Sequence, residues 1–132
     1  MEYERDKETY FIRLDRGDNL MGSLKEFAIK EELNSGSLSG IGALEEVELG
    51  FYHLKDQVYQ RKIFSHEYEL ISMTGNLSLL DGEPFFHIHC VLGDDQYNAF
   101  GGHVFDARIA VTCEVVFQKM NISMERKMNC DI

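Results

Sequence analysis

The chain alternates between short runs of apolar and β-branched residues and turn-forming punctuation, with a single stretch of helical period. Thr9 to Leu14 predicts a first strand, which Arg16-Gly17-Asp18 breaks. Asp18 is placed to cap a helix from about Asn19 to Leu33, with Leu20, Leu24, Phe27, Ala28 and Leu33 near one face. Met21 and Ile29 broaden that stripe, Lys25, Glu26, Lys30 and Glu31 face solvent, and Asn34-Ser35-Gly36 supplies the stop. Ser37 to Leu44 and Val47 to Tyr52 predict strands, and Tyr59 to Phe64 and Tyr68 to Asn76 predict a hairpin across Ser65-His66-Glu67. Ala107 to Phe117 is the longest strand candidate, apolar on both faces, as a central strand or a partner surface would be. One helix against seven or eight strands joined by short turns gives an α+β domain, a mostly antiparallel sheet of about seven strands with one main helix packed on it.

Chemistry concentrates between Pro84 and His103. Pro84-Phe85-Phe86-His87-Ile88-His89-Cys90-Val91-Leu92 has no helical period and reads as a strand. Alternation puts His87 and His89 on one face, and Phe86, Ile88, Cys90 and Leu92 on the other. Gly93-Asp94-Asp95 turns the chain, and Tyr97 to Phe105 returns antiparallel, bringing Gly101-Gly102-His103 towards the pair. Two readings stay open for the three imidazoles: histidines hydrogen-bonded within the packing, or an open metal site with a vacant position. Nitrogen ligands of this kind suit zinc best, with nickel, copper or iron as alternatives. Water, an acidic side chain or a neighbouring subunit can serve as fourth ligand. Glu67 and Glu69 are candidates for outer partners or a general base, although alternating acids on a hairpin are the mark of a solvated face. His53 and His66 read as surface residues. Gly40-x-Gly42 is not a nucleotide loop, because no third glycine follows and the next element is a strand.

Composition narrows the classes. A chain of 132 residues is one domain, with a core from about 9 to 118 and a polar, loosely held tail over 119–132. With 44% hydrophobic and 27% charged residues, one Pro and no low-complexity tract, it has the profile of an ordinary globular domain without a linker. The formal charge of −10 repels a phosphate backbone, and the adjacent pairs Arg61-Lys62 and Arg126-Lys127 read as solvated charge. Cys90, Cys113 and Cys130 are odd in number without CxxC spacing, which predicts reduced thiols and a cytoplasmic location; Cys90 and Cys113 read as small core residues. Met1 to Lys7 lacks the apolar centre of a signal peptide, and no run is long enough for a membrane span.

Gly40-Ile41-Gly42-Ala43-Leu44, Leu49-Gly50-Phe51-Tyr52, Tyr68 to Ser72 and Thr74-Gly75-Asn76-Leu77-Ser78 resemble successive blocks of the plants and prokaryotes conserved (PPC) domain. Asp81-Gly82-x-Pro84-Phe85-x-His87-x-His89 and Gly101-Gly102-His103 continue the likeness in order, so that it spans Tyr10 to Phe117. This domain occurs in plant AT-hook nuclear proteins and as free-standing chains in archaea and bacteria. The resemblance implies a sheet flanked by a helix, a homotrimer, a metal at His87, His89 and His103, and a candidate DNA-binding role. The Arg-Gly-Arg-Pro hook of the plant members is absent, which removes the main cationic contact to a minor groove. Three copies would carry about −30, so DNA is weakly supported by charge.

Three function classes follow. The first is a trimeric, metal-stabilised regulatory protein with a candidate role at DNA. The others are a small zinc-dependent hydrolase and a trimeric sensor of small molecules. No nucleophile–base or acid–base constellation stands out, so no catalytic residue is assigned and the non-enzymatic class ranks first. The apolar strand Ile109 to Phe117 and the Gly36 to Gly50 region offer surface for self-association.

Overall fold

The computed structural model describes residues 1–127. Alternating burial along Thr9–Asp15 (β2), with Tyr10, Ile12 and Leu14 fully buried, shows how the core is built, one side chain in two facing inward. The elements are β1 (Glu2–Asp6), β2, α1 (Leu20–Lys30), β3 (Gly36–His53), β4 (Val58–Leu80), β5 (Glu83–Gly93), β6 (Ala99–Lys119) and β7 (Glu125–Arg126). They form one sheet in the order β1-β2-β6-β3-β4-β5, antiparallel throughout except that β7 adds in parallel to β4. β5 also pairs with β6, so β3, β4, β5 and β6 close upon themselves.

The expected α+β architecture, about seven strands and one helix, is the one observed, but the strands differ from those the sequence suggests. β3 runs unbroken from Gly36 to His53, with a bulge at Glu45/Val47 where Glu46 adopts a left-handed φ of 49°. β4 runs unbroken through Ser65-His66-Glu67, so the expected hairpin there does not exist. The polar triplet lies within the strand, and the reversal falls at Leu54–Gln57, where Gln57 has φ 53°. β6 likewise joins two expected strands into one of 21 residues. β1 was not foreseen: its four charged residues are exposed and give no apolar alternation, and it is held by backbone pairing to β2 and by Tyr3 packing on Phe27. Asp81 and Gly82 both take positive φ between β4 and β5, as a two-residue hairpin turn requires.

The helix begins one residue later than Asp18 would cap it. Asn19 is the N-cap, its side-chain oxygen accepting from the Gly22 amide at 2.7 Å, and Glu31 ends it. Leu20, Leu24, Phe27 and Ala28 are buried against the sheet, whereas Ile29 is exposed. Phe27 stands edge-on to Tyr3, Tyr10 and Phe117, with centroids 4.9, 5.1 and 5.7 Å away. This cluster fills the space between α1 and the sheet. Among the described residues no helix is long and apolar enough to cross a membrane.

The tail was expected to be loose. Within it, Glu125 and Arg126 pair with Leu79 and Leu80, and the Ser35 hydroxyl donates to the carbonyls of Met120 and Ile122. Residues 128–132, including Cys130, lie outside the described residues.

Candidate metal centre

β5 supplies His87 and His89, with the alternation that the sequence pattern predicts: Phe86, Ile88, Cys90 and Leu92 are buried while the histidines face out. β6 supplies His103, which pairs directly with His89 on one side and with Gly50 of β3 on the other. The return strand can come this close because of Gly101 and Gly102. A Cβ on Gly101 would run into the Cys90 carbonyl oxygen, and one on Gly102 would sit 2.9 Å from the Gly50 carbonyl oxygen.

One ring nitrogen from each of the three histidines lies within 4.8 Å of the others. The Nε2 atoms of His87 and His89 are 3.2 Å apart. Two ligands at about 2.0–2.1 Å from a tetrahedral ion would be separated by about 3.3–3.4 Å. The ring centroids are 4.9 to 5.5 Å apart, and His89 is exposed while the other two are half-buried. His103 Nδ1 is buried without a hydrogen-bond partner, as are Tyr10 Oη and Glu8 Oε2, but only the His103 nitrogen lies beside two further ring nitrogens. Tyr59 and Phe105 wall in its ring at 5.0 and 4.7 Å.

Burial favours the neutral form of His87 and His103. Burial pushes the His103 pKa down to about 4, helped by His87, His89 and Arg61. His87 is lowered by burial first, then by Arg126 and His89. Neutral imidazole is the metal-binding form, so three converging ring nitrogens, two of them on histidines whose burial disfavours protonation, fit a divalent ion.

Arg126, which as half of a basic pair looked like solvated charge, is part of this site. Its guanidinium donates to Ser78 Oγ (2.8 Å), Asn76 Oδ1 (3.0 Å) and His87 Nδ1 (3.3 Å). An arginine N–H can only donate, so His87 Nδ1 accepts and its Nε2 carries the proton given to His89. Local pattern could not reveal this, because it depends on β7 joining β4. Arg61 also differs from a free surface charge: it forks onto Glu48 at 2.9 and 3.0 Å and lies 3.7 Å above the Phe105 ring.

Glu67 and Glu69 sit elsewhere along β4. Glu67 lines a cleft of about 810 Å³ with Glu45, His66, Asp94 and Asp95, floored by Phe64, Tyr68 and Phe100. Glu69 stands opposite Ala43 and Gly93. Among the described residues no hydrogen bond or ion pair joins either acid to the three histidines. His53 bonds Gln60 at 2.8 Å and His66 is exposed, both away from the cluster. Cys90 and Cys113 are buried, and burial pushes their thiols up to about 11 and about 12, which makes them core residues rather than ligands.

Comparison with known proteins agrees with this architecture. No curated protein matches the chain in sequence. Among solved structures, a candidate DNA-binding protein from Bacteroides thetaiotaomicron is 28% identical, with a TM-score of 0.94 over 98% of this chain and 91% of that one. A plant- and prokaryote-conserved protein from Pyrococcus horikoshii is 32% identical, with a TM-score of 0.88 over 98% and 89%. A metal-containing protein from Archaeoglobus fulgidus is also 32% identical, with a TM-score of 0.89 over 98% and 91%. The profile of the Plants and Prokaryotes Conserved domain, abbreviated PCC or PPC, matches residues 1–121, and the chain belongs to that family.

Proposed function

We propose that this protein is a metal-binding module in which His87, His89 and His103 hold one divalent ion, with zinc the best-suited metal. The observation that carries this reading is the convergence of one ring nitrogen from each of three histidines within 4.8 Å. The similar Archaeoglobus fulgidus structure is of a metal-containing protein, which adds support. A bound ion would supply Lewis acidity and positive charge at a position open to solvent beside His89. The chain's own residues do the rest: Gly101 and Gly102 admit β6, Tyr59 and Phe105 fix the His103 ring, and burial keeps it unprotonated. Elemental analysis tests this directly. Wild-type protein dialysed after zinc loading should retain one zinc per chain, and the His89→Ala variant close to none. Equal retention by both would sink the assignment.

The working unit in this reading is a homotrimer. Ile41, Ile71 and Val111 surround a shallow apolar depression with Gly42 and Ala43 on the outer face of β3, β4 and β6, and all three are more than half exposed. Small domains seldom leave such a patch uncovered. Light scattering at micromolar concentration should return three times the 15.2 kDa chain mass. A regulatory role at DNA is the family reading, supported by the name of the similar Bacteroides thetaiotaomicron protein. The charge of −10 opposes it, so binding by this chain alone should be weak and collapse as salt rises.

A further inference from the structure

The two arginines near the histidine cluster are held in opposite ways. Arg61 forks onto the Glu48 carboxylate, so its charge is balanced. Arg126 is half-buried and held only by neutral acceptors, Ser78 Oγ, Asn76 Oδ1 and His87 Nδ1, with its face 5.2 Å from the Phe85 ring. Among the described residues no carboxylate pairs with it. A cation oriented this carefully, with no counter-charge among the described residues, is set to receive an anion.

The third of its hydrogen bonds cannot coexist with a metal. If His87 coordinates through Nε2, the ring proton moves to Nδ1 and two donors face each other across 3.3 Å. If it coordinates through Nδ1, the lone pair that accepts from Arg126 is taken. Either way, loading the site frees one guanidinium N–H while Ser78 and Asn76 still hold the group in place. The three histidines are neutral ligands, so the ion's charge also stays unbalanced. Planar, forked donation beside a divalent ion matches a carboxylate.

We propose that Arg126 turns the three-histidine centre into a receptor for a small carboxylate ligand, whose anion takes the N–H that His87 gives up. The proposal rests on the metal reading above. It assigns Arg126 and its holders Asn76 and Ser78 to ligand binding, and it makes the acidic exterior compatible with an anionic ligand through one local cationic spot.

The test uses the full chain loaded with cobalt(II), after metal content has been measured and thermal melting has shown each variant to be folded. Sodium acetate is titrated while the visible cobalt bands are followed, with sodium perchlorate at equal ionic strength as control. Acetate should shift the wild-type bands saturably, while perchlorate does not. Arg126→Gln should bind one cobalt per chain yet need about tenfold more acetate, and Arg126→Lys should fall between. One cobalt per chain with no acetate response in the wild type, an equal response to perchlorate, or an unchanged acetate titration in Arg126→Gln overturns the carboxylate site alone. Failure of the wild type to bind cobalt or zinc overturns the metal reading and this proposal with it.

Discussion

Two aromatic clusters occupy this molecule, and they are finished differently. Under α1, Tyr3, Tyr10, Phe27 and Phe117 meet edge to face; Phe27 and Phe117 present only carbon, and the one buried polar atom without a partner is the Tyr10 hydroxyl. Across β4, β5 and β6, His87, His89, His103, Tyr59 and Phe105 meet at similar centroid distances. Here the rings carry nitrogens, one is buried without a partner, and Arg126 borrows another. Each cluster leaves one buried polar atom unpaired, but only the second brings three ring nitrogens within 4.8 Å of one another, at a position open to solvent. That difference separates a stability element from a binding site more sharply than burial does.

The largest effect should come from breaking the first cluster. Phe27→Ala removes a fully buried ring and should cost about 3–5 kcal/mol in denaturant unfolding, while zinc stoichiometry of the protein that remains folded stays at one per chain. Breaking the second cluster should do the reverse. His89 is exposed, so His89→Ala should change metal-free stability by under about 1 kcal/mol but abolish the gain from zinc. At a zinc concentration 100 times the dissociation constant that gain is about 2.7 kcal/mol.

Acidity sharpens the comparison. His103 has a folded pKa lowered to about 4, so between about 6.5 and 4 the unfolded chain binds a proton that the folded chain refuses. Metal-free stability should therefore be complete above that window and decline as pH falls through it, levelling below about 4. His103→Gln should flatten this decline, as read by melting temperature against pH. Zinc occupancy should fall over the upper part of the same window, since protons compete for imidazole. The smallest effect belongs to His53→Ala. His53 lies outside both clusters and bonds only Gln60, so stability should move by under about 0.5 kcal/mol and metal content not at all.

Much of the candidate site was legible because it is local. His87 and His89 alternate with buried neighbours on one strand, and the Gly101-Gly102 pair announces the close return of His103. α1 was legible from its stripe, with only the cap displaced from Asp18 to Asn19. The long strands were not, because bulges at Gly40/Gly42 and Glu45/Val47 interrupt the alternation that marks a continuous strand. A polar triplet on the exposed side of β4 then imitated a turn. β1 escaped notice because Tyr3 alone of its five residues packs inward, while the rest is held by ladder hydrogen bonds. Arg126 was the most consequential omission. Its place depends on a parallel pairing between residues nearly fifty positions apart, which no local pattern encodes.

The central claim is that three imidazoles from β5 and β6 share one ion. Zinc-edge X-ray absorption on protein loaded with one zinc per chain measures that coordination directly. Three imidazole nitrogens at about 2.0–2.1 Å are expected, falling to two in His103→Ala. A sulfur scatterer at about 2.3 Å, or a spectrum that His103→Ala leaves unchanged, would contradict it.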